Sequence, residues 1–220
     1  MTMKTLGVTG AFALATAATA GVTGISIDSI GNTGNGETYM VYVDVTDDTR
    51  IDAVFGNSTG TLEFGTADGL SFYQNSFGGP LSTNCNAAFF PLAPSLQYDS
   101  FVTIGAVDST GNPFSNNALL DIGIDWASFN AGGGMSTDNG SWFITPADDQ
   151  GNPIDGRVLI AQFTVVGGTG DGYADLTGFF NVQGSDDNGV FQEYGLNWVP
   201  APGALALLGV AGLAGRRRRR

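Results

Sequence analysis

The chain has 220 residues, enough for one domain with a closed core and too few for two once both ends are set aside. It contains 34 Gly and 18 Asp but 3 Glu, one Lys and no His, a composition that favours turns over exposed helical faces. Without His, the chain lacks the base of Ser-His-Asp and Cys-His catalysis and the usual zinc ligand. The lone Cys85 excludes a disulfide scaffold.

The charges are strongly segregated along the chain. All 21 acidic residues lie between Asp28 and Glu193, and only Arg50 and Arg157 share that segment, which therefore carries a formal charge of −19. A body this acidic repels phosphate backbones, so nucleic acid is excluded as a partner. This negative charge is typical of an exported protein with a soluble surface, and it would favour bound cations.

The first 20 residues have the layout of a secretory signal peptide. Lys4 precedes an uncharged run from Leu6 to Ala17 that is made of apolar, Thr and Gly residues. Ala18 and Ala20 then form an A-x-A cleavage site, which predicts a mature protein that begins near Gly21 after cutting by signal peptidase.

The last 22 residues, 199–220, combine a proline motif, an apolar segment and a basic end. Pro200 and Pro202 precede thirteen uncharged residues, 203–215, and the chain stops at the arginine cluster Arg216, Arg217, Arg218, Arg219 and Arg220. As a helix, the apolar segment would cover about 20 Å, short of the ~30 Å hydrocarbon layer. We therefore expect transient membrane insertion through 203–215, with the arginines held in the cytoplasm and the body outside.

This C-terminal segment resembles the sorting tail of PEP-CTERM proteins, which carry a Pro-Glu-Pro signature, an apolar stretch and an Arg-rich end. Val199, Pro200, Ala201 and Pro202 take the place of the signature, with Ala201 where the family has Glu, and residues 205–213 match the apolar stretch. The resemblance implies export to the cell envelope and processing by an exosortase-like membrane protease near residues 199–203. A plain C-terminal membrane anchor is the alternative.

Between these ends, segments with period-2 alternation are separated by clusters of Gly, Asn and Asp. In residues 38–46, Tyr39, Val41, Val43 and Val45 share one face, which predicts a half-buried strand. Further strands are predicted at residues 51–55, 61–64, 70–73, 101–107, 158–166, 174–182 and 190–194. Alternation favours a strand over a helix at 118–129 as well. The prediction is one all-β domain over residues 21–198, an antiparallel β-sandwich.

Candidate chemistry in this body is sparse. Residues 56–60 match G-x-S-x-G, but without a His base they are interpreted as a turn. Calcium is the most plausible ion, because acidic turns supply the oxygen ligands that it prefers. The candidate ligands are Asp44, Asp47, Asp48 and Asp52. No cofactor is required by any motif.

Four aromatic residues have two open interpretations, stacking on sugars or packing in the core: Tyr73, Trp126, Trp142 and Trp198. The function predicted from the sequence is that of an exported, non-enzymatic protein of the cell envelope or extracellular matrix, sorted by its tail. The alternative is a secreted carbohydrate-binding module, stabilised by Ca²⁺, with envelope polysaccharide as its partner. A glycosidase with two Asp residues is a more distant alternative.

Overall fold

Two antiparallel β-sheets pack face to face in the computed structural model, which describes residues 21–198. This confirms the predicted all-β sandwich. The strands in the described part are β1 (Val22–Asn32), β2 (Glu37–Val45), β3 (Arg50–Gly56), β4 (Leu62–Thr66), β5 (Ser71–Phe72), β6 (Phe101–Val102), β7 (Leu120–Ile122), β8 (Met135–Thr137), β9 (Gly140–Phe143), β10 (Arg157–Val166), β11 (Leu176–Asp186) and β12 (Gly189–Asn197). Two four-residue helices accompany them, α1 (Ala127–Asn130) and α2 (Gly172–Asp175).

The first sheet has the order β1-β2-β10-β5, and β6 also pairs with β10. The second sheet is built on β11, which pairs with β12 and, along successive segments, with β3 and β4. β9 pairs with the outer side of β3, and β8 pairs with the outer side of β4. β7 pairs with β9 and forms an edge of the sheet. β3 and β4 both run antiparallel to β11 and pair with successive segments of it. The segment between them therefore interrupts the pairing with β11, but the chain keeps its direction.

Alternation in β2 sets the orientation of the first sheet. Tyr39, Val41, Val43 and Val45 are all buried, as the sequence predicted, and Met40 and Tyr42 lie on the opposite face. β10 differs, because its residues from Val158 to Val165 are buried on both faces. Its outer face lies beneath a long covering segment, residues 73–118, which packs its own small core around Cys85, Leu96 and Phe101.

A cluster of aromatic rings occupies the centre between the sheets. The Phe64 ring centroid lies 5.0–6.2 Å from those of Phe72, Phe129, Trp142 and Phe163. Most of these pairs are edge-to-face, the arrangement that aromatic quadrupoles favour. The cluster joins strands of both sheets to α1 and so closes the sandwich.

Three predicted strands are shorter than expected, and the one predicted at 70–73 is confined to Ser71–Phe72. Only Phe101–Val102 of the 101–107 segment pairs as a strand. After Val102 the Thr103 and Gly105 N–H groups donate to the Ile160 and Leu159 carbonyls outside regular pairing, and Gly105 has a φ of 72°. In the 118–129 segment, β7 covers Leu120–Ile122, after which α1 turns the Phe129 side chain into the core.

The longest omission from the prediction is β1. This edge strand alternates only briefly, at Ile25 and Ile27, and its other residues include Gly, Ser and Asp that are half-buried or exposed, so its hydrophobic pattern is short. Its register comes from pairing with β2, for example Ile27 with Val41. No helix within residues 21–198 is long and apolar enough to cross a membrane, and the apolar segment 203–215 lies outside the described residues.

Candidate functional site

Most of the predicted processing residues lie outside the described part of the chain: Ala18, Ala20, Val199, Pro200, Ala201, Pro202 and the arginine cluster Arg216–Arg220. Gly21 is described, and a Cβ added there would lie 1.8 Å from the Thr49 Oγ1 atom. Its φ of 51° also favours glycine. The backbone at the predicted mature start is therefore packed closely against the turn after β2.

The four aspartates proposed as calcium ligands do not form one cluster. Asp44 accepts a hydrogen bond of 2.6 Å from the Ser26 hydroxyl on β1. Asp52 is buried and pairs with Arg50, whose Nε lies 2.7 Å from the Asp52 Oδ1 atom. Two of the four oxygen donors are thus engaged in separate parts of the fold. Within residues 21–198, no group of three or more His, Cys, Asp or Glu side chains has the spacing of a metal site.

Asp47 and Asp48 instead face a second acidic turn. They line one groove with Asp186 and Asp187 from the β11–β12 hairpin, an arrangement that the sequence alone did not reveal. The Thr46 hydroxyl donates to Asp48 over 2.6 Å, and this bond is the main cause that lowers the pKa of the exposed Asp48 carboxyl. Of the four predicted calcium ligands, only Asp47 and Asp48 line this groove, and calcium binding stays a prediction.

The test of that prediction is thermal unfolding with matched millimolar Ca²⁺ and Mg²⁺. A calcium site present only in the native state would raise the melting temperature with Ca²⁺ well beyond the rise with Mg²⁺, by mass action. Asp47→Asn combined with Asp186→Asn would then remove the difference. Equal rises with the two ions would mean charge screening alone and would contradict the calcium prediction.

The four aromatic residues considered for sugar stacking or core packing differ in their exposure. Trp142 and Trp198 are 2% and 4% exposed, which confirms core packing for both. Trp198 lies on Gly178, where an added Cβ would come within 1.9 Å of the indole ring. Trp126 is half-buried between Phe129 and Trp142, and Tyr73 is half-buried with its hydroxyl accepting a hydrogen bond from Asn75.

One pocket of about 230 Å³ lies on the outer face of the first sheet. Its walls are mainly apolar, with Met40, Phe114 and Leu159 among them. Asn152, Asp155 and Arg157 are polar residues at this pocket. The Arg157 Nη1 donates to Asp28 over 2.7 Å, and its guanidinium lies 4.2 Å from the Tyr42 ring centroid. The Arg157 charge is therefore already engaged by a carboxylate and an aromatic face.

A second pocket, here called the carboxamide pocket, has different chemistry. It measures about 260 Å³ and is lined by Gln74, Asn75, Gly78, Gly79, Pro80, Asn84 and Asn130. Four of these seven residues are amides and none is charged. No sequence motif marks these residues, and the one signal in the sequence is that no residue between Asp68 and Asp99 carries a charge.

The backbone beside this pocket is held by a buried carboxylate. Asp99 is fully buried, and its two oxygens accept hydrogen bonds from the Asn75 N–H over 2.6 Å and from the Gly79 N–H over 3.1 Å. Burial raises the pKa of Asp99 to about 6, and these N–H groups oppose the rise. The carboxylate therefore closes the loop 75–79 on the edge of the pocket.

Gly78→Ala tests this closure. A Cβ at residue 78 would lie 1.7 Å from the Asp99 Oδ2 atom, so we expect the substitution to lower the free energy of unfolding by about 2–3 kcal/mol. The control is Gly24→Ala, where the nearest atom to the new Cβ is 3.6 Å away and the change should stay within about 0.5 kcal/mol. Equal effects of the two substitutions in denaturant unfolding would show that loop 75–79 is not packed on Asp99.

No family model, curated protein or solved structure matches this chain. The family resemblance of the C-terminal tail therefore stands on its own residues.

Proposed function

We propose that the protein is an exported, non-enzymatic component of the cell envelope or extracellular matrix, sorted by its C-terminal tail. The observation that carries the proposal is the position of the folded body between the two predicted processing points. β1 begins at Val22, one residue after the predicted mature start, and the Val22 side chain is buried. At the other end Trp198 is in the core, directly before the proline motif.

This placement suits processing at both ends. Cleavage after Ala20 would leave all of β1 and its pairing with β2 in the mature protein. Cleavage within residues 199–203 would leave Trp198 packed on Gly178 and Phe180. Both cuts would therefore spare the hydrophobic core, and the acidic body would stay soluble after release.

The non-enzymatic part of the proposal rests on the surroundings of the candidate nucleophile. Ser58 lies in a bend between β3 and β4, where the Asn57 side chain accepts hydrogen bonds from the Thr59 and Gly60 N–H groups. A nucleophile elbow requires a strand followed by a helix and a His base, and the chain contains no His. The motif acts here as an Asx turn.

The intact mass of the protein recovered from the cell surface tests the proposal. We expect a chain that begins near Gly21 and ends between Val199 and Gly203. Deleting Arg216–Arg220 should release unprocessed protein into the medium, since no charge then opposes translocation. Replacing the five arginines with five lysines is the matched control and should preserve processing.

Two results of that experiment would contradict the proposal. A surface protein whose mass includes the tail through Arg220 would identify a plain membrane anchor. A chain retained inside the cell with Met1 still attached would exclude export. The alternative function, carbohydrate binding, is favoured by one feature, the carboxamide pocket.

A further inference from the structure

We propose that the carboxamide pocket, together with the exposed rings of Phe77 and Phe89, binds an uncharged polysaccharide. The proposal deepens the function proposed above by naming a partner, and depends on it only for the polymer's location outside the cell. The binding step itself is a property of the folded body. It can therefore fail or succeed independently of export and tail processing.

The first support is the charge of the surface. The thirty residues 69–98 contain no charged side chain, in a body that carries 21 carboxylates and two arginines. Both arginines are engaged elsewhere, Arg50 with Asp52 and Arg157 with Asp28. An acidic polymer would be repelled by the body and would find no free cation at the pocket. A neutral, hydroxyl-rich polymer is not repelled by the acidic body and needs no cation at the pocket.

The second support is a set of amide groups without partners inside the fold. The side chain of Asn130 is exposed at the pocket and makes no hydrogen bond within residues 21–198. Asn84 uses its Oδ1 to accept from the Leu81 N–H, which leaves its Nδ2 donor free in the same part of the chain. Amides offer both donors and acceptors, the combination that sugar hydroxyls need.

Gln74 is the most informative of these amides. Its Nε2 atom is buried and has no hydrogen-bond partner among the described residues. A buried donor left unpaired costs about 1–3 kcal/mol. Because no existing bond holds this amide, turning it toward a ligand hydroxyl in the pocket would gain a hydrogen bond without breaking one.

The third support is an aromatic pair beside the pocket. Phe77 and Phe89 are 64% and 45% exposed, and their rings are 6.5 Å apart with an angle of 28° between their planes. Phe77 lies within the loop 75–79, between pocket residues Asn75 and Gly78. The two rings stack on each other, and their exposed parts form one apolar patch that can pack against the C–H face of a sugar unit, while the amides bond to hydroxyl groups.

The loop that carries this chemistry is already ordered by the fold. Asp99 holds both of its ends, and Asn75 donates to Tyr73 and Ser95 over 3.0 and 2.9 Å. A ligand site held in place in the free protein avoids the entropy cost of ordering a loop on binding. The volume of about 260 Å³ suits one sugar ring in the pocket, with a neighbouring unit on the aromatic pair.

Affinity electrophoresis of the full chain tests the proposal. The protein is run in native gels that contain soluble neutral polysaccharides, namely dextran, galactomannan, xyloglucan, hydroxyethylcellulose and a β-1,3-glucan, or the acidic polymer alginate. We expect at least one neutral polymer to retard the protein and alginate to leave its migration unchanged. Gln74→Leu and Phe77→Ala should each weaken that retardation about tenfold, the loss of one good contact.

Two features of the variants separate binding from folding. Gln74→Leu replaces an unpaired buried amide with an apolar group of similar shape, so its melting temperature should be unchanged or higher. Phe77→Ala changes an exposed ring and should leave the melting temperature unchanged as well. The matched controls are Gln192→Leu and Tyr173→Ala, exposed residues that do not line the pocket and should retain full retardation.

The contrary outcomes are distinct. If none of the neutral polymers retards the protein, or if only alginate does, the proposed ligand class is wrong. If a neutral polymer retards Gln74→Leu and Phe77→Ala as strongly as the parent chain, the site is wrong. Correct processing in cells, with no retardation in gels, would retain the proposed envelope function and reject this inference.

Discussion

Phe64→Ala is expected to lower the free energy of unfolding by about 3–5 kcal/mol, the range for truncating a large aromatic residue in a core. Phe64 is 4% exposed and contacts the rings of Phe72, Phe129, Trp142 and Phe163. The cavity would open where strands of both sheets and α1 meet, so each neighbouring ring would lose a partner. A rigid sandwich can collapse only partly around such a gap.

Denaturant unfolding followed by Trp fluorescence measures this effect. Phe77→Ala is the matched control, because it truncates the same side chain where it is 64% exposed, and we expect a change within about 0.5 kcal/mol. A loss below about 1 kcal/mol for Phe64→Ala would mean that the aromatic cluster does not hold the two sheets together.

Asp175→Ala is expected to lower the free energy of unfolding by about 2–4 kcal/mol, because it removes a buried carboxylate that accepts three hydrogen bonds and leaves the buried Tyr39 hydroxyl without an acceptor. The Asp175 carboxylate is 1% exposed and accepts hydrogen bonds from the Tyr39 hydroxyl, the Thr169 N–H at 2.6 Å and the Thr169 hydroxyl at 2.9 Å. Tyr39, fully buried in β2, in turn accepts from the Gly170 N–H over 3.0 Å. The substitution therefore breaks a network that joins β2 to the turn before β11.

The pH dependence of this network follows from the pKa of Asp175. Burial acts to raise that pKa, but the hydrogen bonds from Tyr39 and Thr169 outweigh burial and lower it below its ordinary value. Because the folded-state pKa is depressed, the stabilisation is complete above about pH 4, the pKa in the unfolded chain, and is lost as pH falls through the folded value. Asp99 has the opposite sign, because its pKa is raised to about 6 in the fold, so its charge makes the fold less stable as pH rises from about 4 to 6.

Unfolding experiments between pH 3 and pH 7 check the Asp175 prediction. The difference in stability between the parent chain and Asp175→Ala should be largest at neutral pH and should shrink at the acid end. Asp68→Ala is the control, because Asp68 is exposed and makes no hydrogen bond among the described residues. A difference that stays constant down to pH 3 would show that the ionised carboxylate is not what stabilises this turn.

The candidate binding site was only weakly visible in the sequence. Acidic turns drew attention to Asp44 and Asp52, yet the fold engages these two residues with Ser26 and Arg50. The carboxamide pocket brings Gln74 together with Asn130, two residues far apart in the chain and on elements that show no shared pattern. The one sequence feature that pointed to the pocket is the uncharged segment 69–98 in an otherwise acidic chain.

Alternation of apolar residues by itself determined the sandwich class and the buried face of β2, because period-2 patterns report directly which side of a strand meets the core. Composition likewise determined the acidic surface and the absence of imidazole chemistry, and the two ends carried the predicted signals for export and sorting. Only the tertiary structure decided the edge strand β1, the burial of Asp99 and Asp175, and the assembly of the carboxamide pocket. The physical reason is that pairing registers, buried hydrogen bonds and pockets depend on contacts between distant segments, which local patterns do not encode.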